Sequence, residues 1–146
     1  MKVPVETYRG VAYPWQCDSM GHLNTQFYVA MYDTATLHFL EMLVDAPQER
    51  KRKGLGWADI RQIIEYKHEL RAGQLVVVMT GLTRVGTKSV HFTHWMRNAV
   101  GGELHSTMES ITARFDLKKR RAVPLSPAVR ANAARYSVQG DMAAGA

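Results

Sequence analysis

The run Gln16-Cys17-Asp18-Ser19-Met20-Gly21-His22-Leu23-Asn24-Thr25-Gln26-Phe27-Tyr28 gathers a carboxylate, an imidazole and a thiol around one glycine. Asn24 has the chemistry of a helix N-cap, so a helix is expected to begin directly after the loop. The first amide groups of a helix have no partner inside it, and they favour negative charge on an oxygen placed before them. Such an oxyanion forms when a nucleophile adds to a thioester carbonyl, and each aimed donor is worth roughly 2.7–4 kcal/mol there. An ionised Asp18 within reach of that carbon would act as general base for water or as the nucleophile itself. Each residue also has a purely structural use. Asp18 could close the turn, Asn24 cap the helix, His22 stay solvated, and Tyr28 belong to the core. A Cys17–His22 thiol mechanism is disfavoured, since alternation places Cys17 and Asp18 on opposite faces of the preceding strand.

The elements that must hold this loop can be read from periodicity. Residues from about Thr7 to Gln16 read as a first strand, with Pro14 marking an edge or bulge near its end. From about Asn24 to Val44, Tyr28, Met31, Ala35, Phe39 and Met42 recur at helical spacing, and Val29, Leu37, Leu40 and Leu43 fill much of the rest. A helix so apolar is expected to be wrapped by other structure. Pro47 ends it, and residues 48–54 read as a charged connection. Four strands follow: about Ile60 to Leu70, Leu75 to Met79 with both faces apolar as in a central strand, Ser89 to Arg97, and Leu104 to Leu117. The reading is one α+β domain over residues 1–130, an antiparallel sheet wrapped around one long central helix. An Ala/Gly-rich tail over 131–146 follows it. One such unit leaves a sheet edge and a helix flank uncovered, so a homodimer, or a dimer of dimers, is expected.

Composition narrows the class. The chain has 146 residues, 46% hydrophobic and 22% charged, enough for one ordinary core. No run approaches the roughly 20 apolar residues of a membrane span, and residues 1–6 carry no secretory apolar stretch. With one cysteine in the sequence, an internal disulfide is excluded, and the expected location is cytoplasmic. A formal charge of +6 suits solubility or a small polyanion, while the scattered Lys and Arg argue against nucleic acid. His91 and His94 are three apart, which puts them on opposite faces of a strand, so no metal site is expected. No P-loop or dinucleotide glycine motif is present.

The loop and its setting resemble the 4-hydroxybenzoyl-CoA thioesterase-like hotdog family, whose signature is an aspartate, a short glycine loop often reading Gly-His-Val-Asn-Asn, and an aromatic residue soon after. Here the counterparts are Asp18, Gly21-His22-Leu23-Asn24-Thr25 and Tyr28. Arg84-Val85-Gly86-Thr87-Lys88-Ser89 resembles the family's third-to-fourth-strand turn, and Ala113-Arg114-Phe115-Asp116 its last strand. The resemblance spans about residues 7–127. It implies a hotdog fold and an acyl-CoA thioesterase that needs no cofactor beyond its CoA thioester substrate. It implies Asp18 as the catalytic carboxylate, the backbone N–H near Thr25 as carbonyl polariser beside Asn24, and a substrate tunnel at a dimer interface. Gly21, His22, Tyr28, Arg84, Lys88 and Ser89 are the expected substrate-binding residues, with Lys118–Arg121 as further cations for CoA phosphates. Thr25 departs from the second Asn or His of many relatives, which leaves its backbone role but no clear side-chain one. A non-catalytic acyl-CoA or acyl-carrier-protein binding module is the alternative. A hotdog dehydratase would need a histidine–acid pair that the sequence does not offer. Asp33 and Glu41 on the helix are the carboxylates next in line after Asp18.

Overall fold

The computed structural model describes residues 2–139. Strand β1 (Val5–Val11) leads through a 3-10 turn (Pro14–Gln16) into α1 (Thr25–Leu43) and the short α2 (Pro47–Arg50). Strands β2 (Leu55–Tyr66), β3 (Leu75–Val85), β4 (Ser89–Asn98) and β5 (Leu104–Asp116) follow, then β6 (Arg121–Ala122) and α3 (Pro127–Tyr136). The sheet is antiparallel in the order β1-β3-β4-β5-β2, with β6 pairing on β5. It curls around α1, giving the α+β hotdog architecture expected from the sequence.

Helix α1 begins where its chemistry dictates. The Asn24 side chain accepts from Gln26 N–H at 3.1 Å, and Val44 closes the other end. Tyr28, Met31, Tyr32, Ala35, Thr36, Phe39, Leu40 and Leu43 are buried, one continuous stripe at three- and four-residue spacing. They pack on the inward residues of the sheet: Val76, Val78 and Leu82 of β3, Val90, Phe92 and Met96 of β4, and Met108 of β5. The opposite face of α1 is not wrapped within one chain, for Val29 and Leu37 are 44% and 64% exposed. No helix among the described residues is long and apolar enough to cross a membrane.

Three boundaries differ from the sequence reading. Strand β1 stops at Val11, because Pro14 has no N–H to give a ladder and opens the 3-10 turn instead. Strand β2 starts at Leu55 and ends at Tyr66. Its ladder stops where the amides of Lys67 and His68 both converge on His105 O (2.8 and 3.2 Å), at a register irregularity of β5. The domain also does not end near residue 130. Ser126 caps α3 by accepting from Val129 N–H at 3.2 Å, and Pro127 supplies its first turn. Val129 and Ala133 of α3 are buried against Phe39, Leu43 and Phe92, so residues 131–136 are part of the packed unit. Beyond α3, Val138 N–H donates to Leu82 O at 2.8 Å. Residues 140–146 of the expected tail lie outside the described residues.

Candidate active site

The loop before α1 folds as a miniature antiparallel hairpin. Asn24 N–H donates to Gln16 O at 2.9 Å, Cys17 bridges Leu23, and Asp18 N–H donates to His22 O at 2.8 Å. Gly21, at φ +80°, makes the reversal that a residue with a Cβ would resist. This ladder sets Asp18 only a few residues' rise from the helix start. It is clamped from the side by the connection between β2 and β3, where Leu23 N–H donates to Leu70 O at 2.6 Å and His22 bridges Arg71.

Within the hairpin the Asp18 carboxylate is half used. Its Oδ1 accepts from Met20 N–H at 2.9 Å and His22 N–H at 3.2 Å, which fixes the group's direction. Its Oδ2 takes no hydrogen bond among the described residues, and the side chain is only partly buried. At the helix start, Gln26 N–H is taken by the Asn24 side chain and Phe27 N–H by Asn24 O. The N–H of exposed Thr25 is left without a partner among the described residues. A free carboxylate oxygen therefore lies in the hairpin that leads into α1, whose first amide is free. That is an arrangement able to deliver a base or nucleophile to a carbonyl whose oxygen faces an N–H.

The remaining expected site residues divide. His22 is half-buried, and its Nε2 lies 3.1 Å from Glu69 Oε2. Tyr28 is buried, its ring edge-on to Tyr66 at 5.0 Å, and burial, reinforced by Tyr66 and Cys17, pushes its hydroxyl up to about 12. Cys17 is half-buried, with Sγ 3.6 Å from Tyr13 O. Arg84, Lys88 and Ser89 are not with them. Val11 pairs with Leu75, so the Asp18 end of the sheet is the start of β3, whereas these three flank the β3–β4 turn at its far end. Strand β3, 11 residues and a rise of roughly 33 Å, runs from one group's end to the other's.

Other polar clusters escaped the sequence reading. His94 is fully buried beneath α1, its Nε2 2.9 Å from Thr36 Oγ1 and its Nδ1 2.5 Å from Thr80 Oγ1. Thr80 in turn lies 2.7 Å from Thr7 Oγ1, and Thr7 donates to Val78 O at 3.3 Å. Because the run ends on a carbonyl, each hydroxyl points its proton toward it, and His94 is neutral with the proton on Nδ1. Burial lowers His94 to about 3. A second cluster joins Glu49, Arg114 and Ser126, with contacts to Glu49 of 2.7 and 2.6 Å and the Arg114 guanidinium 4.9 Å above the Trp57 ring. Burial alone would raise the Glu49 carboxyl, but the Ser126 and Arg114 hydrogen bonds outweigh it and hold it below its ordinary value. Asp33 and Glu41, the reserve carboxylates, line a cavity of about 210 Å³ between α1 and β2, together with Thr36, Trp57 and Asp59. Asp33 is eight residues past Thr25, roughly 12 Å along the helix, and Glu41 is paired with Arg50 at 2.7 Å.

A family model for the thioesterase-like superfamily matches residues 13–133. The fold is shared with a Staphylococcus aureus protein solved in complex with CoA, at TM-score 0.80 and 16% identity over 93% of this chain and 86% of that one. It is also shared with a predicted thioesterase from Bacillus stearothermophilus, at TM-score 0.74 and 21% identity over 90% and 97%. A third likeness is to a 1,4-dihydroxy-2-naphthoyl-CoA thioesterase from Synechocystis, at TM-score 0.72 and 15% identity over 87% and 93%. No curated protein matches the sequence.

Proposed function

The chain belongs to the thioesterase-like superfamily, and from that membership we propose that it hydrolyses an acyl-CoA thioester to the free acid and CoA, with Asp18 as the reacting carboxylate. The observation that carries this reading is the half-used carboxylate. Oδ1 is anchored by two backbone amides while Oδ2 is unengaged, in the hairpin that leads directly to the open N–H of Thr25.

Two routes conserve atoms and charge. As general base, Asp18 takes a proton from water while the water oxygen adds to the thioester carbon. The Thr25 N–H receives the oxyanion, and collapse breaks the C–S bond and expels the CoA thiolate, which takes up a proton. As nucleophile, an Asp18 oxygen adds to the same carbon and expels the thiolate, and water then cleaves the mixed anhydride. Where water attacks the Asp18 carboxyl carbon of that anhydride, a single turnover in ¹⁸O-water leaves label in the Asp18 side chain, which the general-base route never does.

The placement of Asp18 and the Arg84–Ser89 turn at opposite ends of β3 supports a complete site assembled from two chains, each supplying one end. The exposed Val29–Leu37 face and the open edge of β2 are the surfaces a second copy would cover.

The experiment is CoA release from short, long, aromatic and charged acyl-CoAs by wild type and by Asp18→Asn. A fall of roughly 10²–10⁴-fold in the folded variant is expected. Equal rates in the two proteins would move the chemistry to Asp33 or Glu41. Binding of acyl-CoA without turnover by either would make the chain a binding module.

A further inference from the structure

We propose that Glu69 is a positioning residue for the Asp18 carboxylate, acting through His22; the inference rests on Asp18 being the reacting group. Four residues link Asp18 to the buried Leu23, and three of them, Ser19, Met20 and Gly21, are exposed. Among the described residues none of those three forms a side-chain hydrogen bond, and Met20 is 72% exposed. His22 is different. Its backbone holds Asp18 in both directions, accepting from Asp18 N–H at 2.8 Å and donating to Asp18 Oδ1 at 3.2 Å. Its imidazole is the loop's side-chain tether, with Nε2 3.1 Å from Glu69 Oε2.

Glu69 stands on the connection that already clamps the hairpin. The next residue, Leu70, takes Leu23 N–H on its carbonyl, and Arg71 bridges His22. Arg71 Nη2 also reaches Glu69 Oε2 at 3.4 Å, so the carboxylate is held between the arginine and the imidazole. The path runs from Glu69 to the His22 ring, from the ring to the His22 backbone, and from there to Asp18 Oδ1. Glu69 forms no hydrogen bond with the Asp18 carboxylate, and its part is to keep the loop in one conformation. With the proton on Nε2, the 3.1 Å contact needs only an acceptor oxygen opposite, which a glutamine amide also supplies.

The test compares wild type, Glu69→Ala and Glu69→Gln, all as the full chain. The first readout is amide hydrogen exchange at Met20 and His22, the two donors to Asp18, which requires no turnover. For a partly exposed pair the expected change in Glu69→Ala is about threefold faster exchange at both amides. Glu69→Gln should restore the wild-type rate. The second readout is steady-state kinetics, where Glu69→Ala should lower kcat by a similar factor with KM unchanged. Unchanged exchange in Glu69→Ala, a Glu69→Gln as defective as Glu69→Ala, or faster exchange with unaltered kcat would each overturn the proposal. If wild type hydrolyses no acyl-CoA, it is the thioesterase reading that fails, and exchange alone still decides whether Glu69 holds the loop.

Discussion

The protein holds two polar clusters beside the same helix, and they are built on opposite terms. Around His94 every ring nitrogen has a partner, water is excluded, and the chain of hydroxyls ends on a carbonyl. Around Asp18 one carboxylate oxygen is satisfied, the other is not, and the first amide of the helix that follows is open. The saturated cluster ties three strands to α1, since Thr7, Thr80 and His94 come from β1, β3 and β4 and Thr36 from the helix. The unsaturated one has valence to spend on something that is not protein.

That contrast can be broken most forcefully with acid. His94 is lowered from the ordinary 6.5 to about 3 by burial, so from 6.5 down to 3 the unfolded chain binds a proton that the folded chain refuses. Stability from this residue is complete above pH 6.5 and drains away as pH falls toward 3, at about 1.4 kcal/mol per pH unit. Urea unfolding of wild type and His94→Leu across that window should show a shallower slope in the variant, the carboxylates that titrate at its acid end being common to both. Equal slopes would mean that His94 takes up its proton in place. At neutral pH, His94→Leu should itself cost about 2–4 kcal/mol, because the Thr36 and Thr80 hydroxyls lose their partner in a dry site. Thr36→Val removes one outer member of the chain and should cost about 1 kcal/mol in the same measurement.

The sequence made the Asp18 loop legible and left the His94 cluster hidden, for physical reasons. Asp18, Gly21 and Asn24 are residues whose local uses are strong, a turn, a reversal and a cap, so type and spacing suffice to place them. The apolar stripe from Tyr28 to Leu43 likewise reports itself. His94 is identifiable only once β3 and β4 are in register, when it appears inward among Val90, Phe92 and Met96 and opposite Thr80. Alternation marked its face but not its depth. The grouping of Arg84, Lys88 and Ser89 with Asp18 came from the family resemblance. The length of β3 separates them within one chain, and the run Leu75–Met79 alone did not reveal that length. Helix α3 had its signal in Ser126-Pro127, a cap followed by a first-turn proline, but the alanines after it read as tail. Alanine is the best helix former, and Val129 and Ala133 needed only a surface to meet.

The smallest expected effect is the sharpest discriminator between the clusters. In Asp18→Asn the side-chain carbonyl can still accept from Met20 and His22 N–H, so the turn keeps both anchors, and only the oxygen that had no partner changes. Unfolding free energy should therefore stay within about 0.5 kcal/mol of wild type, the usual range for a surface substitution that breaks no special feature. Activity in the same preparation should collapse. A loss of more than about 2 kcal/mol in stability would instead show that the charge of Asp18 holds the loop together. The two clusters would then differ in degree of burial alone, and the free oxygen would lose its claim to chemistry.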